Sequence, residues 1–255
     1  MILKKYFQHY ELFYNLTIAE LKIKYKNSVL GFLWALLEPL LISLTLYIVF
    51  TTLFKSDQVN YGAYILIGFT AWFFFSNTNS MINVFLSNAH LITKTFFPRE
   101  VILFSSCTAL FINTIFNFIV LVIILIFIKA SISYHILFLP LILVINFFFI
   151  LGISLALSSL YIFLRDLDKI WSIIIQVWFF LTPIVYPSSL ILKISPLLIT
   201  LNPVFYFIKA YRNILLYDKL LSLNYIITLI IISLSASLVG WKIFKKLEPK
   251  FAEEV

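Results

Sequence analysis

Polar and charged residues interrupt the apolar positions of this chain at intervals long enough to serve as a ruler. Between Lys26 and Lys55 the only charged residue is Glu38. Residues 58–93, 101–128, 170–192 and 220–241 hold no Asp, Glu, Lys or Arg, and residues 130–164 hold only His135 among ionisable acids and bases. A helix that crosses the hydrocarbon layer needs about 20 mostly apolar residues. The intervals therefore predict six spanning helices, at residues 28–54, 61–87, 101–128, 136–164, 170–192 and 222–242.

Two stretches depart from that simple pattern. Residues 194–208 are apolar but few, and they hold Pro196, Asn202 and Pro203, where missing backbone donors bend a helix. They predict a re-entrant or interfacial segment. Residues 58–93 exceed one span and turn polar at Ser76, Asn77, Thr78, Asn79, Ser80 and Asn83, so this part should face protein or water. Ahead of the first span, within residues 1–27, Leu12, Leu16, Ala19 and Ile23 recur at helical spacing while Glu11, Asn15, Lys22 and Lys26 take another face. This predicts an amphipathic helix along the membrane surface, in preference to a charged leader that only orients the next span.

Orientation follows from basic residues. With six spans and both termini on one side, the terminal side carries Lys4, Lys5, Lys22, Lys24, Lys26, Lys94, Arg99, Arg165, Lys169, Lys242, Lys245, Lys246 and Lys250. The opposite side carries Lys55, Lys129, Lys193, Lys209, Arg212 and Lys219. The excess of 13 over 6 predicts cytoplasmic termini.

Composition agrees: 62% of the 255 residues are hydrophobic and 12% charged, against about 45–50% and 25% in soluble domains. The net charge of +8 is placed where orientation explains it, so no nucleic-acid partner is expected; the surrounding partners are membrane lipids. Lysines and glutamates scattered through residues 4–26 leave no apolar core for a cleavable signal. Cys107 is solitary, and His9, His90 and His135 lack metal-ligand spacing. None of the five glycines begins a phosphate-cradling loop, and no Ser, His and acid set is suggested. No catalytic residue, metal site or cofactor is therefore expected on this chain, and energy must come from a partner or an ion gradient. Glu38, followed by Pro39, reads as a polar residue hydrogen-bonded near a kink in preference to a proton site.

Several motifs stand in one order along nearly the whole chain. They are residues 24–39 (KYKNSVLGFLWALLEP), Trp72-Phe73-Phe74-Phe75-Ser76, Phe97-Pro98-Arg99-Glu100, residues 163–170 (FLRDLDKI), residues 181–187 (LTPIVYP), Asn202-Pro203, Ala210-Tyr211-Arg212-Asn213 and residues 246–251 (KLEPKF). Together they resemble the permease subunits of ABC exporters of polysaccharides, the O-antigen and teichoic-acid family of ABC type-2 transporters. The resemblance implies an all-α integral membrane protein with six transmembrane helices per protomer, an N-terminal amphipathic interface helix and short re-entrant helices between spans 5 and 6. It further implies a homodimer in a bacterial cytoplasmic (inner) membrane, docked on two copies of a separate ATPase that holds ATP and Mg. A lipid-linked glycan would pass outward between protomers.

The same resemblance makes residues 88–100 a cytoplasmic coupling segment, with His90, Lys94, Phe96, Phe97, Pro98, Arg99 and Glu100 facing the ATPase. At the next cytoplasmic connection Arg165, Asp166, Asp168 and Lys169 form a compact, nearly neutral cluster, read equally as a solvated helix end or as a second contact, of Arg165 and Asp166, with the ATPase or the amphipathic helix; Asp166 and Lys169 could pair along a helix turn. The plainer reading of the coupling segment is a basic loop. Residues 187–211 would form a pair of short outer gate helices marked by Pro187, Pro196, Asn202, Pro203 and Tyr211, the alternative being an ordinary loop on the headgroups. Sugars offer apolar C–H faces and polar rims, so a glycan path needs aromatic surfaces beside hydroxyls or amides. Most aromatic residues here must face lipid or pack helices. Trp34, Trp72, Phe73, Phe74, Phe75, Trp178, Phe179 and Phe180 have polar neighbours in sequence and are the candidates. Competing functions are an ABC exporter of drugs or small lipids and an integral-membrane glycan polymerase or transferase; the latter needs exposed catalytic acids or bases, of which few exist outside the coupling-type clusters.

Overall fold

The computed structural model describes residues 9–25, 60–94, 97–128 and 134–254, with scattered positions between 31 and 49. The first predicted span, including Glu38 and Pro39, lies largely outside these described residues, as does Phe96. Among the described residues there are helices and turns and no strand.

The chain begins with α1 (Tyr10–Tyr25). A broken rod follows: α2 (Tyr61–Ser76), α3 (Thr78–Met81), α4 (Val84–Ser87) and α5 (Ala89–Lys94). Then come α6 (Glu100–Phe127), a 3-10 turn at Tyr134–Phe138 leading into α7 (Leu139–Tyr161), and α8 (Leu167–Leu181). Three short helices, α9 (Ser188–Ile194), α10 (Pro196–Thr200) and α11 (Pro203–Leu215), precede α12 (Leu223–Leu247). A 3-10 turn at Glu248–Lys250 and α13 (Phe251–Glu254) end the described chain.

Among the described residues, three helices are long and apolar enough to cross a membrane by length and composition: Glu100–Phe127, Tyr134–Tyr161 and Leu223–Lys250. The interval expected to form one helix at 61–87 is instead interrupted, and its own polar residues explain why. Asn77 Nδ2 donates to the Phe73 carbonyl (2.6 Å) and Asn88 Nδ2 to the Val84 carbonyl (2.9 Å). Ser76, Ser80 and Ser87 hydroxyls likewise take carbonyls one turn back. Such local bonds offer the backbone an alternative to the regular ladder. The interval 170–192 is shorter than expected, because α8 stops at Thr182, ahead of Pro183 and Pro187. Beyond it the segment expected to form a pair of short helices holds three, since Ser195 is forced extended before Pro196.

The closest helix packing joins α12 to α7. Gly152 and Gly240 meet backbone to backbone, and a Cβ on either would collide with the other helix. Ser233 and Ser237 hydroxyls donate across the seam to the Ile145 and Phe148 carbonyls, both at 2.7 Å. Small residues that let backbones approach, with hydroxyls as cross-links, are how apolar helices associate where lipid is as greasy as the partner. Helix α1 lies on α6, where Ser106 donates to Glu20 Oε1 (3.0 Å) and Thr17 is buried beside Ser105. Leu16 packs inward as its periodicity requires, whereas Ile23 is exposed.

Candidate functional site

At the C-terminal end of α8 the chain runs without helix through Thr182-Pro183-Ile184-Val185-Tyr186, all but Tyr186 buried. Irregular backbone in a membrane protein must find its hydrogen bonds from other elements. It finds them from α2 and α11. Arg212 is 3% exposed; its guanidinium donates to the Pro183 and Ile184 carbonyls (2.7 Å each) and to the Tyr64 carbonyl (3.2 and 3.3 Å). The same group lies 3.4 Å from the Tyr64 ring centroid, a stacked cation–π geometry. Tyr61 donates to the Val185 carbonyl (2.5 Å) and Tyr64 to that of Tyr186 (2.9 Å). Gly68 is required here because a Cβ would occupy the place of the Arg212 guanidinium.

The other gate candidates surround this knot. Asn202 caps α11 through the Phe205 N–H, accepts from Trp178 Nε1 (3.1 Å) and donates to Thr182 Oγ1 (2.9 Å). Pro187 precedes α9, while Pro196 and Pro203 open α10 and α11. Tyr211 is fully buried, accepts from Asn146 (3.2 Å) and packs on Phe118, so it is an anchor of the segment. Between α8 and α10 lies an apolar groove of about 420 Å³, lined by Ile173, Val177, Leu181, Leu197 and Leu198 among others.

The aromatic candidates divide. Trp72, Phe75, Trp178 and Phe179 interlock edge to face between α2 and α8, with Phe75–Trp178 at 5.2 Å and Trp72–Phe179 at 5.6 Å. Phe74 is buried against Phe111. These rings are occupied by one another. Phe73, Phe180 and Trp34 keep an open face, Phe180 and Trp34 on the exposed surface and Phe73 in a cavity.

That cavity, of about 500 Å³, lies among α1, the α2–α4 rod and α6. Asn77, Ser80, Asn83, Ser87, Ser106 and Asn113 line it with amides and hydroxyls, Phe73 adds a ring face and Glu20 a carboxylate. Amides and hydroxyls both donate and accept, which suits hydroxylated, uncharged groups; among the described residues no cation lines the cavity to hold a phosphate. The sequence signalled Asn77, Ser80 and Asn83 by their clustered polarity but not Glu20, Ser87, Ser106 or Asn113, because none of these belongs to that cluster. Arg212, Tyr61 and Tyr64 were missed for a similar reason: nothing local distinguishes a clamp from an outer positive charge or belt tyrosines.

At the cytoplasmic end by the charge pattern, the coupling candidates are split between solvent and the chain's own tail. His90 and Asp166 are exposed, Lys94 closes α5, Phe97 is half-buried on the core and Pro98 is buried. Arg99 donates to the Glu248 carbonyl and lies over the Phe251 ring. Glu100 is buried and pairs with Lys245 at 3.4 Å. Arg165 donates to the Glu254 carbonyl (3.2 Å). Asp166 and Lys169 form no ion pair with each other; the carboxylate at this turn that binds locally is Asp168, which accepts from the Lys169 N–H. Among the described residues no three His, Cys, Asp or Glu side chains are grouped to hold a metal.

Comparison with known proteins supplies the family. The ABC-2 type transporter model matches residues 11–216. Two Klebsiella pneumoniae proteins named O-antigen export system permease protein RfbA are each 33% identical, over 247 and 248 residues, covering 96% of this chain and 95% of the relative. A Myxococcus xanthus protein of the same name is 26% identical over 261 residues, covering 100% of this chain and 99% of that one. With apolar helices of spanning length, a transport family matched across most of its length and relatives aligned nearly end to end, the chain is an integral membrane transport component and belongs to the ABC-2 type transporter family.

Proposed function

We propose that this chain is the membrane permease subunit of an ATP-driven exporter that moves a lipid-linked polysaccharide, an O-antigen or teichoic-acid-like polymer, across a bacterial cytoplasmic membrane. The observation that carries the reading is the end-to-end similarity to O-antigen export permeases. The polar cavity supports it: amides, hydroxyls and one aromatic face suit sugar rather than a greasy drug. In this reading the chain has six spans with both termini cytoplasmic, α1 lies on the membrane surface, and α9 to α11 form the re-entrant outer gate. Two protomers and two copies of a separate ATPase, carrying ATP and Mg, complete the machine. His90, Lys94, Phe96, Arg165 and Asp166 face that ATPase, and Trp34, Phe73 and Phe180 are the aromatics left to meet the glycan.

Deleting the gene in a strain that displays the polymer tests the proposal. Surface polymer should disappear while lipid-linked polymer accumulates on the inner side, and the plasmid-borne chain should reverse both. Normal display in the deletion strain would refute the reading.

A further inference from the structure

The motif at residues 246–251 has no place in the transport reading so far, yet the structure gives it dense contacts. Phe251 is fully buried, four residues from the end of the chain. Its ring packs against Phe85 of α4 (5.1 Å between centroids), Phe244 of α12 (5.8 Å) and Phe163 after α7 (6.4 Å). Around this plug the tail backbone is held by two arginines from different connections. Arg99, between α5 and α6, donates to the Glu248 carbonyl, and Arg165, between α7 and α8, donates to that of Glu254. Lys245 bridges Glu100 at the start of α6 and Glu248 of the tail, at 3.4 and 2.8 Å. One short segment thus ties together the inner ends of the α2–α5 rod, α6, α7 and α12.

We propose that residues 248–254 form a tie that fixes the two cytoplasmic connections in register, with Phe251 as a positioning residue for energy coupling. The inference rests on the exporter reading, in which an ATPase pushes those connections. Backbone carbonyls gripped by guanidinium groups hold position while leaving the arginine edges turned to solvent available for a partner. An aromatic plug makes the grip stiff, because a close-packed cluster transmits displacement rather than absorbing it. With the tie intact, a push on one connection moves both; without it each yields alone and ATP is spent without export.

The test uses the full transporter with its ATPase in proteoliposomes, measuring ATP hydrolysis and polymer export together. Phe251→Ala, at wild-type membrane levels, should keep hydrolysis while export per ATP falls about ten-fold. A chain lacking residues 252–255 keeps the plug but loses the Arg165 grip, and should fall about five-fold. Unchanged export per ATP in Phe251→Ala overturns the tie. Should that variant fail to insert, the shortened chain decides: unchanged coupling overturns the tie and reduced coupling supports it. Hydrolysis by the intact complex checks the exporter reading separately, since its absence refutes that reading whatever the tail does.

Discussion

Arg212 shows how one side chain can make a nonhelical stretch possible inside a membrane protein. Its planar fork answers carbonyls that Pro183 and the break in α8 leave without partners. Arg212→Ala removes a buried charge, yet it also strands two buried acceptors, each costing about 1–3 kcal/mol. Purified in detergent, that variant should lose about 3 kcal/mol, read as a drop in unfolding temperature. Lys keeps the charge without the fork, so Arg212→Lys should recover only part of the loss. The sequence displayed the Ala210-Tyr211-Arg212-Asn213 motif and the Thr-Pro-Ile-Val-Tyr-Pro run as separate features. Nothing in their spacing could join them, because the bonds reach across 28 and 29 residues to one and 148 to α2. Asn202-Pro203 reads from sequence only as a bend between short helices; in the structure Asn202 caps α11, a role that a side-chain acceptor ahead of proline signals locally.

Elements divide by how much of their stability is local. Long apolar runs without interruption formed the long helices α6, α7 and α12, as a hydropathy ruler requires. The interval 61–87 was misjudged as one rod because hydropathy averages over the Asn and Ser side chains that take its backbone carbonyls. The seam between α7 and α12 was equally hidden, for a glycine in an apolar run looks the same whether it meets lipid or another backbone. Gly240→Val should part these helices and cost roughly 1–3 kcal/mol, visible as lost thermal stability. Control at Val239, which is exposed, should tolerate Leu. The polar cavity gives a different outcome at this scale. Asn83→Leu removes an exposed amide and no packing, so membrane levels should hold while polymer export falls about ten-fold, as when a polar binding group is deleted from a specific site. Loss of the protein with export per molecule unchanged would make Asn83 structural.

For the whole molecule, the basic residues set the prediction. Cysteines placed at either terminus should resist a membrane-impermeant thiol reagent added to intact cells, whereas one at exposed Lys219 should react. Labelling of either terminus from outside would reverse the orientation and place the tail contacts on the wrong side for any ATPase. The all-helical class and the family were legible because they rest on composition and ordered motifs spread over the chain, while orientation rests on the basic residues and is what the thiol reagent tests. The aromatic path was not, since Trp72, Phe75, Trp178 and Phe179 have polar neighbours in sequence but one another in space.

The knot around Arg212 has a consequence for the order in which the chain is made. Translation delivers Tyr61 and Tyr64 early, the carbonyls of 183–186 much later, and Arg212 after those. Until Arg212 is made, Tyr61 and Tyr64 can already reach the Val185 and Tyr186 carbonyls, while those of Pro183 and Ile184 still lack its guanidinium. The knot therefore closes late in synthesis, because its last donor follows every carbonyl it serves in the sequence.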